Sequence, residues 1–79
     1  MIKIKIDVRK LIAAIKKRNP YVPKTAIARA LGVNRQRLHQ MQTVQNSAFL
    51  DDVKRRSLKK AFYSGAGPEF DLLIESVTI

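Results

Sequence analysis

The stretch Lys24-Thr-Ala-Ile-Ala28-Arg-Ala-Leu-Gly32-Val33-Asn-Arg-Gln-Arg-Leu38-His-Gln-Met41 decides the fold. It reads as two short helices joined by a tight turn. Pro23 suits the first turn of the leading helix, where its missing N–H would be unpaired anyway. That helix runs to about Leu31, and Gly32 ends it because glycine adopts a left-handed conformation without steric cost. Asn34 is an N-cap for the next helix, expected to reach about Thr43. The small side chain of Ala28 allows two steeply crossed helices to approach. Ile27, Leu31, Val33, Leu38 and Met41 are spaced to fill the wedge beneath them. What remains on the second helix is polar: Arg35, Gln36, Arg37, His39, Gln40 and Gln42, with no acid. Such donor-rich groups suit base edges and phosphates.

Outward from this stretch, residues 2–6 alternate isoleucine and lysine, which predicts a strand with one apolar face. Asp7 stands where an N-cap belongs. Val8, Leu11, Ile12 and Ile15 at helical spacing then predict an amphipathic helix over residues 8–18, ended by Asn19-Pro20. Downstream, Ser47 reads as the cap of a fourth helix over residues 48–64, with Phe49, Leu50, Val53, Leu58, Ala61 and Phe62 as its apolar stripe. Gly65-Ala-Gly-Pro68 breaks the chain. Residues 70–78 read as a second strand, with Leu72 and Ile74 on one face and Leu73 and Val77 on the other. The expected fold is thus mainly α with a small β component. One domain spans residues 1–79, with four helices flanked by terminal strands paired in a small antiparallel sheet. Two isolated strands are marginal alone, so the strands are also expected to extend across a homodimer, with Phe70, Leu72, Ile74 and Ile79 as interface candidates. Covering the monomer's own core is the equal alternative for each of them.

The net charge of +10 is unevenly placed. Residues 1–40 carry 11 Lys/Arg against the single acid Asp7, whereas residues 41–79 are balanced at five of each. A one-sided positive field favours a polyanionic partner. The chain has no cysteine, which excludes disulfides and thiolate metal sites. No apolar run approaches a membrane span. The N-terminal alternation lacks the continuous apolar core of a signal peptide, so a cytoplasmic location in a bacterial host is expected. The one histidine has no acidic or histidine neighbour at ligand spacing, and no carboxylate pair or glycine-rich phosphate loop is evident. No enzymatic activity, cofactor, metal or small-molecule ligand is therefore expected.

The segment from Lys24 to Met41 resembles the helix-turn-helix of lambda-type Cro and repressor proteins of phages. The matching features are Thr25, the small Ala28, the Leu31-Gly32-Val33 turn, and apolar Leu38 and Met41. The resemblance covers about 20 of the 79 residues. It implies that the second helix lies in the major groove of double-stranded DNA with its N-terminal residues on base edges. Arg35 and Gln36 would then occupy the first reading positions, and His39 and Gln40 the next turn. For any one of them a phosphate or water contact is the alternative. Lys24, Thr25 and Asn34, at helix starts, are candidate phosphate contacts. Arg37 points off the reading face and is another. Lys16, Lys17 and Arg18 would extend that footprint. Lys54, Arg55 and Arg56 would do so only if they are not simply solvated. The expected function is a sequence-specific transcriptional regulator that binds a two-fold-related operator as a dimer. An excisionase-like architectural factor and a protein-binding module, such as an antitoxin or phage inhibitor, are the alternatives.

Overall fold

The structure is a computed structural model, and it describes residues 3–79. Its order is β1 (Ile4–Asp7), α1 (Val8–Arg18), α2 (Lys24–Ala30), α3 (Arg35–Gln40) with a π-helical extension Met41–Gln45, β2 (Ser47–Leu50), α4 (Asp52–Phe62) and α5 (Glu69–Val77). The architecture is mainly helical, with one two-stranded antiparallel sheet. The first predicted strand is present from Ile4; its start at Ile2 lies outside the described residues.

Local chemistry accounts for the first half. Asp7 caps α1 by accepting from the Lys10 N–H at 3.0 Å. Lys16, Lys17 and Arg18 close the helix where cations complement its dipole. Val8, Leu11, Ile12 and Ile15 are its buried stripe. α2 ends in a Schellman motif: the Val33 N–H donates to the Ala28 carbonyl at 2.9 Å and the Gly32 N–H to the Arg29 carbonyl at 3.1 Å. Gly32, at φ +74°, is the left-handed residue this motif requires. Asn34 caps α3, its Oδ1 accepting from the Arg37 N–H at 2.7 Å. The π extension ends at Asn46, which at φ 51° takes the same left-handed role.

The second half departs from the sequence-based expectation in three places. Residues 47–50 are a strand and not the first turn of the fourth helix. They pair with β1 in the register Ile4↔Leu50 and Ile6↔Ala48. The cap of α4 is accordingly Asp51, which accepts from the Lys54 N–H at 2.9 Å, and not Ser47. The predicted apolar stripe of this helix shrinks with it: Leu58 is buried and Phe62 partly so, while Phe49 and Val53 face solvent. Residues 70–77, read as a strand, are a fifth helix. Phe70, Ile74 and Val77 fall on one side of it and are buried, with Leu73 partly so. Pro68, and Glu69 and Asp71 in the first turn, suit a helix start.

The terminal strands therefore do not pair as expected. β1 takes β2 on one side. On the other it meets the last residues, through an Ile6↔Thr78 bridge and an Ile79 N–H that donates to the Lys5 carbonyl at 2.9 Å. Phe70 (2 % exposed) and Ile74 (6 %) belong to the monomer's core and are not surface for a dimer, whereas Leu72 and Ile79 stay exposed. The core draws on every element, from Ile6 on β1 to Val77 on α5. Among the described residues no helix is long and apolar enough to cross a membrane.

Candidate nucleic-acid interface

α3 is held from below and at both ends. Leu38 is fully buried and Met41 nearly so, one turn apart on the inner face. The first end is fixed by the Asn34 cap. The far end is fixed by a residue that sequence reasoning missed. Arg9, at the start of α1, donates from Nε to the Gln42 carbonyl at 2.7 Å and from Nη2 to the Thr43 carbonyl at 3.3 Å. A guanidinium there satisfies carbonyls left open by the end of the helix and complements its dipole. The Asn46 side chain completes the junction by accepting from the Arg9 N–H at 3.3 Å. Nothing in the sequence near Arg9 signals this, because its partners lie more than 30 residues away.

With the scaffold so fixed, Arg35, Gln36, His39 and Gln40 are all exposed. None of their side chains makes a hydrogen bond or ion pair among the described residues. Arg35, Gln36 and His39 line a shallow concavity of about 450 Å³ together with Lys24 from the start of α2. The tight turn at Gly32 brings this lysine alongside the exposed face of α3. Thr25 is exposed on the next residue of α2. The surface thus combines a guanidinium, an ammonium, an imidazole and carboxamides, with no acid lining the concavity.

The other residues singled out by sequence are dispersed. Arg37 lies on another side of α3, in a groove with Lys54 and residues of β2. The Asn34 side-chain oxygen is occupied by its cap, leaving the amide N–H₂ as its free donor. Arg18 is drawn into the fold. Its Nη1 makes a two-pronged contact with the Glu69 carboxylate at 2.8 and 2.7 Å, its Nε donates to the Phe62 carbonyl at 3.2 Å, and its guanidinium lies 5.0 Å from the centre of the Tyr63 ring. Lys17 lies beside it in the α1–α5 groove. Tyr63 is buried against Phe70, with ring centroids 5.4 Å apart. Burial raises the pKa of its hydroxyl above the ordinary 10.0; Arg18 opposes that shift and Glu69 adds to it. Arg55, Arg56 and Lys59 of α4 share a concavity with Asp52 and Asp71, so this second basic cluster is interleaved with acids.

Compared with protein-family profiles, with curated proteins and with solved structures, the chain shows no significant match to any.

Proposed function

We propose that this protein is a sequence-specific double-stranded DNA-binding regulator that reads the major groove with α3 and represses by occluding a promoter, in the manner of Cro- and repressor-like phage proteins. The observation that carries the reading is the free, acid-free face of Arg35, Gln36, His39 and Gln40, set beside Lys24 on a helix anchored at both ends. A rigid element with unoccupied donors is what base readout needs, because side chains already paired to their own fold must lose those bonds to reach a base. Arg35 suits a bidentate pair with guanine O6 and N7, and Gln36 or Gln40 one with adenine N6 and N7. Lys24, Thr25 and the Asn34 amide supply the backbone contacts that fix register.

One such helix contacts few base pairs, so the reading includes a homodimer on half-sites about one helical turn apart. Leu72 and Ile79 are the exposed apolar residues left for its interface among those first considered. Selection of bound duplexes from a random pool tests the proposal. A two-fold-related consensus is expected, and Arg35→Ala should relax one position of each half-site with a loss of about 1–3 kcal/mol against the preferred base. Binding with no preference over random duplex would refute it. An equal loss for all sequences on Arg35→Ala would make Arg35 a phosphate contact.

A further inference from the structure

Among the described residues the sheet leaves one edge open, and the hydrogen-bond pattern shows which groups it presents. The Lys5 carbonyl accepts from Ile79, so Lys5 turns its backbone away from β2. Neighbouring residues of a strand point their N–H and C=O groups to opposite sides. Ile4 and Ile6 therefore face β2, pairing with Leu50 and Ala48. It follows that Ser47 and Phe49 direct their N–H and C=O groups outward, away from β1. Neither residue makes a backbone hydrogen bond on that side among the described residues. An edge of this kind is a template for another strand. Apart from its shortness, at four residues, the strand carries neither of two common protections: no proline interrupts β2 and no charged side chain stands on it. Phe49 is 59 % exposed on the outer face of the sheet.

Beside this edge runs a groove of about 350 Å³. Val33 and Met41 supply its apolar wall, Ala48 and Phe49 its strand side, and Arg37 and Lys54 its charge. No acid lines it. The adjacent Asp51 carboxylate is turned onto the first turn of α4, where it caps the Lys54 N–H.

We propose that the open edge of β2 is a docking site for an acidic extended peptide of a partner protein, which adds as a strand to Ser47–Leu50 and sets carboxylates against Arg37 and Lys54. The backbone groups of Ser47 and Phe49 supply the ladder, the exposed Phe49 ring an apolar contact, and the two cations the selectivity. A second copy of the chain fits less well, because two-fold pairing of β2 with itself would bring a second Arg37 and Lys54 to a groove that has no acid to receive them. Duplex DNA fits the cations but has no use for outward N–H and C=O groups in strand register or for a solvated aromatic ring.

The test uses the full chain, ¹⁵N-labelled, titrated with the capped peptide Ac-Thr-Val-Glu-Val-Glu-Val-Thr-NH₂ and with its counterpart in which both glutamates are lysine. Saturable shifts centred on the Ser47 and Phe49 amides, and slowed exchange of the Phe49 N–H, are expected with the glutamate peptide alone. Lys54→Glu should weaken that binding by about tenfold or more, a change of about 1.4 kcal/mol. Phe49→Pro removes the outward donor and should abolish binding, with the Lys54→Glu result standing alone if the proline variant does not fold. Equal binding of the lysine peptide, or no saturation at millimolar peptide, would overturn the proposal. So would protection of the Phe49 N–H that grows with protein concentration without peptide, which would put a second copy on the edge. Shifts of these same amides by duplex DNA would overturn it too.

Discussion

Residues 72 and 74 separate the helical from the extended reading of the C-terminal segment, because a strand places them on one face and a helix on different ones. In α5, Ile74 is 6 % exposed and packed in the core, while Leu72 is 63 % exposed. Truncating a buried isoleucine to alanine costs about 2–5 kcal/mol through lost transfer energy and the cavity left behind. A domain of this size has a total stability of about 4–12 kcal/mol, so Ile74→Ala removes a large part of it. Leu72 has only about a third of its surface covered, which limits the cost of Leu72→Ala to under about 1 kcal/mol. Helix propensity adds little, since leucine and alanine are both good formers. At about 4–8 °C per kcal/mol for a domain of this length, Ile74→Ala should lower Tm by at least about 8 °C and Leu72→Ala by a few degrees. Thermal and urea denaturation followed by circular dichroism at 222 nm reads both, and dilute protein keeps any dimer contact of Leu72 out of the measurement. Equal losses for the two variants would refute the helical assignment of residues 69–77.

Arg18→Ala should destabilise the fold by about 1–2 kcal/mol, because it removes the Glu69 pair, a carbonyl contact and the stacking on Tyr63. A double-mutant cycle with Glu69→Gln should return a coupling near 1 kcal/mol or below, both side chains being partly solvated; additivity would show the pair contributes nothing. Gly32→Ala should cost about 1–2 kcal/mol in denaturant titration from left-handed strain alone, since a methyl at this position meets no atom within 4 Å. A neutral result would mean the turn relaxes. Because the folded Tyr63 hydroxyl holds its proton to higher pH than in the unfolded chain, its stabilising effect is complete below about pH 10 and is lost as pH rises through the folded value. Ultraviolet titration should show one of the two tyrosines ionising late, and Tyr63→Phe should remove that late step; its persistence would place the shift elsewhere.

The α2–turn–α3 unit was legible because its determinants are local. The Gly32 turn, the Asn34 cap and the Leu38–Met41 spacing act within a few residues, so backbone preference and burial agree without help from the rest of the chain. The same holds for the Asp7 cap and the buried stripe of α1. The exposed face of α3 followed directly, since a buried side fixes the opposite one.

The sequence also showed α4, although it set the helix start too early, whereas only the tertiary structure decided the segments on either side of it, β2 and α5. Ser47-Ala-Phe-Leu50 has no strong preference of its own and becomes a strand because β1, whose residues pair with it from 40 to 46 positions earlier, supplies its ladder. Residues 70–77 carry both a period-two and a helical apolar pattern, and burial of Phe70, Ile74 and Val77 in the shared core selects the helix. Arg9 and Arg18 look like any other basic residues of a cationic segment. Their roles arise from contacts 33 and 51 residues distant, which turn one into a clamp on α3 and withdraw the other from the candidate DNA surface. Local hydrogen bonding and periodicity thus sufficed for α3, whereas the use of each strand edge and each charge depended on which distant segment the core brought to it.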